Sequence, residues 1–168
     1  MSNTKYRGRA LVAATLLLSL ALVAVPAVAG TATTTLAVSL TINAGCTVSS
    51  TPIAFPAQGV ISAAVSQTGS LAVTCTNTTP YTVGLDAGAG SGATVTNRLM
   101  TGPGSATVVY GLFSDAGHSA NWGNSSGSWV SGTGNGNAQT LTVYGQISPQ
   151  TTPAPGAYAD TVNVTVTF

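Results

Sequence analysis

Leu36-Ala37-Val38-Ser39-Leu40-Thr41-Ile42 is the stretch on which the reading of this chain turns. Apolar side chains stand at 36, 38, 40 and 42, with small or polar ones at 37, 39 and 41. Strict period two over seven residues predicts a β-strand with one face to bury. No turn signal folds it back as a hairpin; Asn43-Ala44-Gly45 leads straight into Cys46. At the far end Thr161-Val162-Asn163-Val164-Thr165-Val166-Thr167-Phe168 alternates in the same way, and the sequence stops there without a return strand. Two strands without local partners suggest a head-to-tail assembly, each subunit lending its N-terminal strand to the next.

Upstream, Lys5, Arg7 and Arg9 precede an apolar run from Ala10 to Val25, and Pro26-Ala27-Val28-Ala29 follows as an A-x-A-type site before Gly30. This is the pattern of a cleaved signal peptide over residues 1–29, with a run slightly short for a membrane span. The expected product is exported, one domain in size, with residues 30–44 as an N-terminal extension and 45–168 as the folded domain. Three of the four basic residues leave with the leader, so Arg98 alone faces Asp86, Asp115 and Asp160. Without a basic patch, nucleic-acid binding has no electrostatic footing. Charged residues make up 4% of the chain, against roughly 25% in ordinary soluble domains. Thr, Ser, Asn and Gly must then keep the surface wet. Low charge also removes the repulsion that holds monomers apart, which suits a subunit that associates.

Cys46 and Cys75 are the only cysteines. In an oxidising compartment they read as a disulfide, closing a loop of about 29 residues and stabilising by roughly 3 kcal/mol. Two cysteines and the single His118 offer too few ligands for a metal site, and no cofactor is expected. Short β-branched and aromatic runs punctuated by Gly, Pro, Asn and Ser predict an all-β domain of six or seven strands. Strands are expected at Cys46–Val48, Leu71–Cys75, Tyr81–Leu85, Arg98–Met100, Ala106–Phe113, Thr140–Gly145 and the last segment. Thr51–Pro56 reads as edge-like because of its prolines. Residues 86–94 and 114–138 read as loops.

Catalytic candidates are thin. Asp115 and His118 lie near serines, but no G-x-S-x-G elbow presents a nucleophile, so the pair reads as surface hydrogen bonding. Three aspartates and no glutamate argue against a glycosidase pair. Gly88-Ala89-Gly90 and Gly132-Thr133-Gly134 lack the lysine and helix of a phosphate loop. Trp122 and Trp129 read first as caps on the core and second as sugar-stacking rings. Asn77, Asn124 and Asn163 head N-x-S/T triplets to which no role is given.

Four ordered motifs carry a resemblance: Cys75-Thr76-Asn77-Thr78-Thr79-Pro80-Tyr81-Thr82-Val83-Gly84-Leu85-Asp86-Ala87-Gly88; Tyr110-Gly111-Leu112-Phe113-Ser114-Asp115-Ala116 with Trp122-Gly123; Tyr144-Gly145-Gln146-Ile147; and Gly156 through Phe168. From about Leu36 to Phe168 the chain resembles the spore coat protein U domain family, which includes subunits of archaic, Csu-type chaperone–usher pili. The resemblance implies an incomplete immunoglobulin-like β-sandwich of pilin type, its last strand missing. It further implies a donor strand over Thr31–Ile42 carrying Leu36, Val38, Leu40 and Ile42, and an acceptor-groove strand carrying Val162, Val164, Val166 and Phe168. Cys46 and Cys75 fit the family's disulfide between the first two strands. The partners implied are identical or related pilin subunits, a periplasmic chaperone and an outer-membrane usher. The expected function is a non-enzymatic subunit of a surface fibre serving adhesion or biofilm formation. The alternatives are a spore or cell-surface coat protein of the same fold and, further off, a carbohydrate-binding adhesin or an exported hydrolase.

Overall fold

The computed structural model describes residues 26–168. The cationic start of the leader and its apolar run, Ala10–Val25, lie outside the described residues. Residues 26–39 form a unit apart from the body, Leu40–Phe168. They contain no helix or strand and are solvent-exposed throughout.

The body holds eight strands and one short 3₁₀ turn: β1 (Cys46–Thr51), β2 (Val65–Cys75), β3 (Pro80–Leu85), β4 (Arg98–Thr101), the 3₁₀ turn Pro103–Ser105, β5 (Thr107–Phe113), β6 (Val130–Thr133), β7 (Ala138–Ile147) and β8 (Val164–Thr167). All pairings are antiparallel. One sheet has the order β1-β2-β7-β5-β4 and the other β6-β3-β8. Period-two patterning decides which face is buried. On β2, Leu71, Val73 and Cys75 turn inward; on β3, Tyr81, Val83 and Leu85 do so. Val108, Tyr110 and Leu112 of β5 and Val143 and Ile147 of β7 complete the core, with Trp122 capping it. Cys46 sits opposite Cys75 in the β1–β2 ladder, and the two form the disulfide. The result is an all-β, immunoglobulin-like sandwich.

Several expectations shift. Leu36–Ile42 is in no ladder, and its four apolar side chains are 88, 88, 84 and 74% exposed. Alternation gives a segment a face, but a strand also needs a partner edge for its backbone N–H and C=O groups. The last strand is confined to Val164–Thr167, because Thr161–Asn163 are held by carboxylates instead of a ladder, and Phe168 lies past the final pair, Thr82–Thr167. β6 falls inside the stretch expected to be loop. Its Gly132 lies under the Tyr81 ring, where a side chain would collide. β2 also starts six residues early, since Val65–Ser70 pair with Thr142–Ile147 of β7 despite being mostly polar.

Candidate assembly cleft

Within the body, β1 pairs only with β2, and β8 pairs only with β3. Each therefore keeps one free edge. Between these edges lies a cleft of about 410 Å³. Ser50, Thr51, Pro52, Ile53 and Phe55 form one wall, and Tyr158 through Val162 with Val164 form the other. Its floor is core: Leu71, Leu85, Tyr110, Leu112 and Val143. Those floor residues are the inward face of four strands and are themselves buried, while Ile53, Phe55, Val162 and Val164 on the walls are half-buried. Past Phe55, Met100 and Tyr158 a second hollow of about 410 Å³ runs beneath the Pro153–Gly156 turn.

Of the four residues expected on the acceptor strand, Val162 and Val164 line the cleft. Val166 packs half-buried against the core, and Phe168 stands outside, 57% exposed. Val162 and Val164 are thereby brought together with Ile53, Phe55 and Leu71, which the sequence did not single out as groove residues.

One end of the cleft is polar, and sequence reasoning missed it. Arg98 on β4 is fully buried. Its Nε donates to the Asp86 carbonyl at 2.8 Å, Nη1 to that of Val95 at 2.8 Å, and Nη2 to those of Leu85 and Trp122 at 3.1 and 2.7 Å. Burial pulls the Arg98 pKa down, opposed by nearby Tyr110, Asp86 and Asp160. At the end of β3, the Asp86 Oδ1 accepts from the Gly88 and Asn163 amides, both at 2.9 Å, and Oδ2 accepts from the Asn163 side chain at 2.6 Å. Burial works against this carboxylate, but the bonds from Asn163 and Gly88 outweigh it and hold its pKa below the ordinary value. Asp160 Oδ1 accepts from the Ala89 and Thr161 amides at 2.7 and 2.8 Å, and its Oδ2 from the Tyr110 hydroxyl at 2.7 Å. Burial, then the bond to Asp160, push the Tyr110 phenol far up. The signal available in sequence was compositional: from residue 30 onward, the one arginine and two of the three aspartates meet here.

The candidate catalytic residues are otherwise engaged. Asp115 accepts from the Ser119 amide and hydroxyl and the Ala120 amide. The His118 ring stands edge-on to Phe113 at 5.3 Å and Tyr144 at 6.4 Å. Trp122 is buried and its Nε1 donates to the Val83 carbonyl at 2.9 Å, a core cap; Trp129 is 40% exposed. The Gly88-Ala89-Gly90 loop spends its Ala89 amide on Asp160. Gly132 and Thr133 belong to β6. Among the described residues, no group of three His, Cys, Asp or Glu side chains is placed to hold a metal, and no helix is long and apolar enough to cross a membrane.

The sequence pattern of the Spore Coat Protein U domain matches residues 32–165. Over 106 residues the chain is 38% identical to Protein U of Myxococcus xanthus, a match covering 60% of this chain and 59% of that one. By structure it is similar to a chain in the CsuC–CsuE chaperone–tip adhesion subunit pre-assembly complex from the archaic chaperone–usher Csu pili of Acinetobacter baumannii. That likeness has a TM-score of 0.59 at 23% identity, covering 76% of this chain and 41% of the other, and concerns the fold.

Proposed function

The chain belongs to the Spore Coat Protein U domain family, and from that premise we propose that it is a non-enzymatic structural subunit of a surface fibre built by donor-strand exchange. The observation that carries the proposal is the cleft between two free strand edges, floored by the core of the sandwich. The cleft walls leave Ile53, Phe55, Val162 and Val164 half-buried beside unpaired strand edges, and an added strand satisfies both. The proposed donor is residues 31–42 of a neighbouring copy or related subunit, with Leu36, Val38, Leu40 and Ile42 supplying the apolar face. The acceptor is the cleft, with Val162 and Val164 on its wall.

Residues 1–29 serve as the signal peptide in this reading, and 30–44 as the extension. A periplasmic chaperone fills the cleft in transit and an outer-membrane usher replaces it with the next subunit's donor. The fibre would act in adhesion or biofilm formation. Immuno-electron microscopy of the native cell surface tests this: filaments decorated by antibody against the chain are expected. Continuous labelling of the envelope or spore without filaments would overturn it in favour of the coat reading, which the family's name keeps in view.

A further inference from the structure

The polar end of the cleft sits in the wall that a donor must lie against. Asp160 and Tyr110 both line the cleft, as do Thr161 and Val162 in the lead into β8. That lead has no ladder of its own; it hangs on two carboxylates. Asp86 engages Asn163 three ways, since its own amide also donates to the Asn163 carbonyl at 3.1 Å. Asp160 ties the lead to the 88–89 turn and to β5 through Tyr110. Arg98 in turn holds the backbone that carries Asp86, through the Leu85 and Asp86 carbonyls. Space is matched too. Gly88 has φ +83°, and a side chain there would collide with the Asp160 carboxylate.

We propose that Asp86 and Asp160, braced by Arg98, Tyr110 and Gly88, are positioning residues that clamp the lead of β8 and so set the shape of the acceptor wall against which the donor strand is retained. This rests on the donor-strand reading above and adds to it which residues govern how long a donor stays. A loose lead would let the Val162 and Val164 wall swing, and the donor would lose apolar contact and ladder together. The clamp acts on retention beyond its own contribution to the stability of the sandwich, whose core includes Tyr110.

The test uses the full mature chain in unpolymerised form and a fluorescent synthetic peptide copying residues 31–43, with dissociation followed by anisotropy. Asp160→Asn and Asp86→Asn are expected to release the peptide about tenfold faster, the loss expected of one charge-assisted hydrogen bond. Tyr110→Phe should move the rate the same way by a smaller factor. Val73→Ala, a core cavity at a residue that does not itself line the cleft, should lower the urea midpoint while leaving the release rate within twofold of wild type. If Asp160→Asn and Tyr110→Phe both release the peptide at the wild-type rate, the clamp is refuted. It is equally refuted if release simply follows the urea midpoint across all four variants. Should Asp160→Asn fail to fold, Tyr110→Phe and Asn163→Ala carry the same comparison. Failure of the wild-type chain to bind the peptide would be a different result, sinking the donor-strand reading itself.

Discussion

Leu40→Asp is the perturbation that bears most directly on assembly. Leu40 is 84% exposed in the subunit, so the substitution removes no packing from the fold. Its effect should appear only when the segment enters a neighbour. Burying Leu36, Val38, Leu40 and Ile42 there contributes about 6–12 kcal/mol at about 1.5–3 kcal/mol each. That rivals the about 5–15 kcal/mol stability of a whole domain. Ordering the segment opposes it by about 1–2 kcal/mol per residue, while closing two free edges offsets part of the loss. Aspartate at 40 forfeits about 2 kcal/mol of apolar burial and places an unpaired carboxylate in an apolar cleft, costing several kcal/mol more. Together these leave an effectively permanent joint reversible. The assay is gel electrophoresis of unboiled surface material: wild type should run as a ladder of SDS-resistant oligomers, and Leu40→Asp as exported monomer. An undiminished ladder from the mutant would refute the reasoning.

Other outcomes follow from the same geometry. Arg98→Lys keeps the charge but not the fork that reaches four carbonyls, so at least one stays unpaired; the loss should be about 1–3 kcal/mol in urea unfolding. The folded pKa of Asp86 lies below its ordinary 3.8, so its stabilisation is present above that value and is lost as pH falls through the lowered one. Thermal melts should therefore show Asp86→Asn less stable than wild type at pH 7, with the gap closing below about pH 4. A gap that does not narrow as pH falls below 3.8 would contradict this assignment. Cys46→Ala with Cys75→Ala removes a crosslink of sequence separation 29 and should lower the denaturation free energy by about 3 kcal/mol.

What could be read from the sequence was whatever depends on one strand's own pattern. Leu71, Val73 and Cys75, and Tyr81, Val83 and Leu85, announce their buried faces by alternation, and they are inward in the structure. β6 could not be read. Val130-Ser131-Gly132-Thr133 has no pattern of its own and is a strand only because Pro80–Val83 lies alongside. The groove was hidden for the same reason, since Ile53, Leu85 and Leu112 meet only after the intervening connections have closed. The burial of Arg98 could not be read either, since lone arginines are mostly exposed. Its burial depends on carbonyls at 85, 86, 95 and 122, a convergence that no local window contains. The alternation at 36–42 told of a face to bury but not of the surface that buries it.

The placement of Arg98 has a bearing on durability. Enzymes of the trypsin type cut after lysine or arginine and need several residues of extended, accessible chain around the scissile bond. From residue 30 onward the sequence offers them a single such position, and in the folded body its side chain has no solvent exposure. The domain thus carries resistance to an entire class of digestive proteases in its composition. One guanidinium, tucked beneath Trp122, closes the last opening.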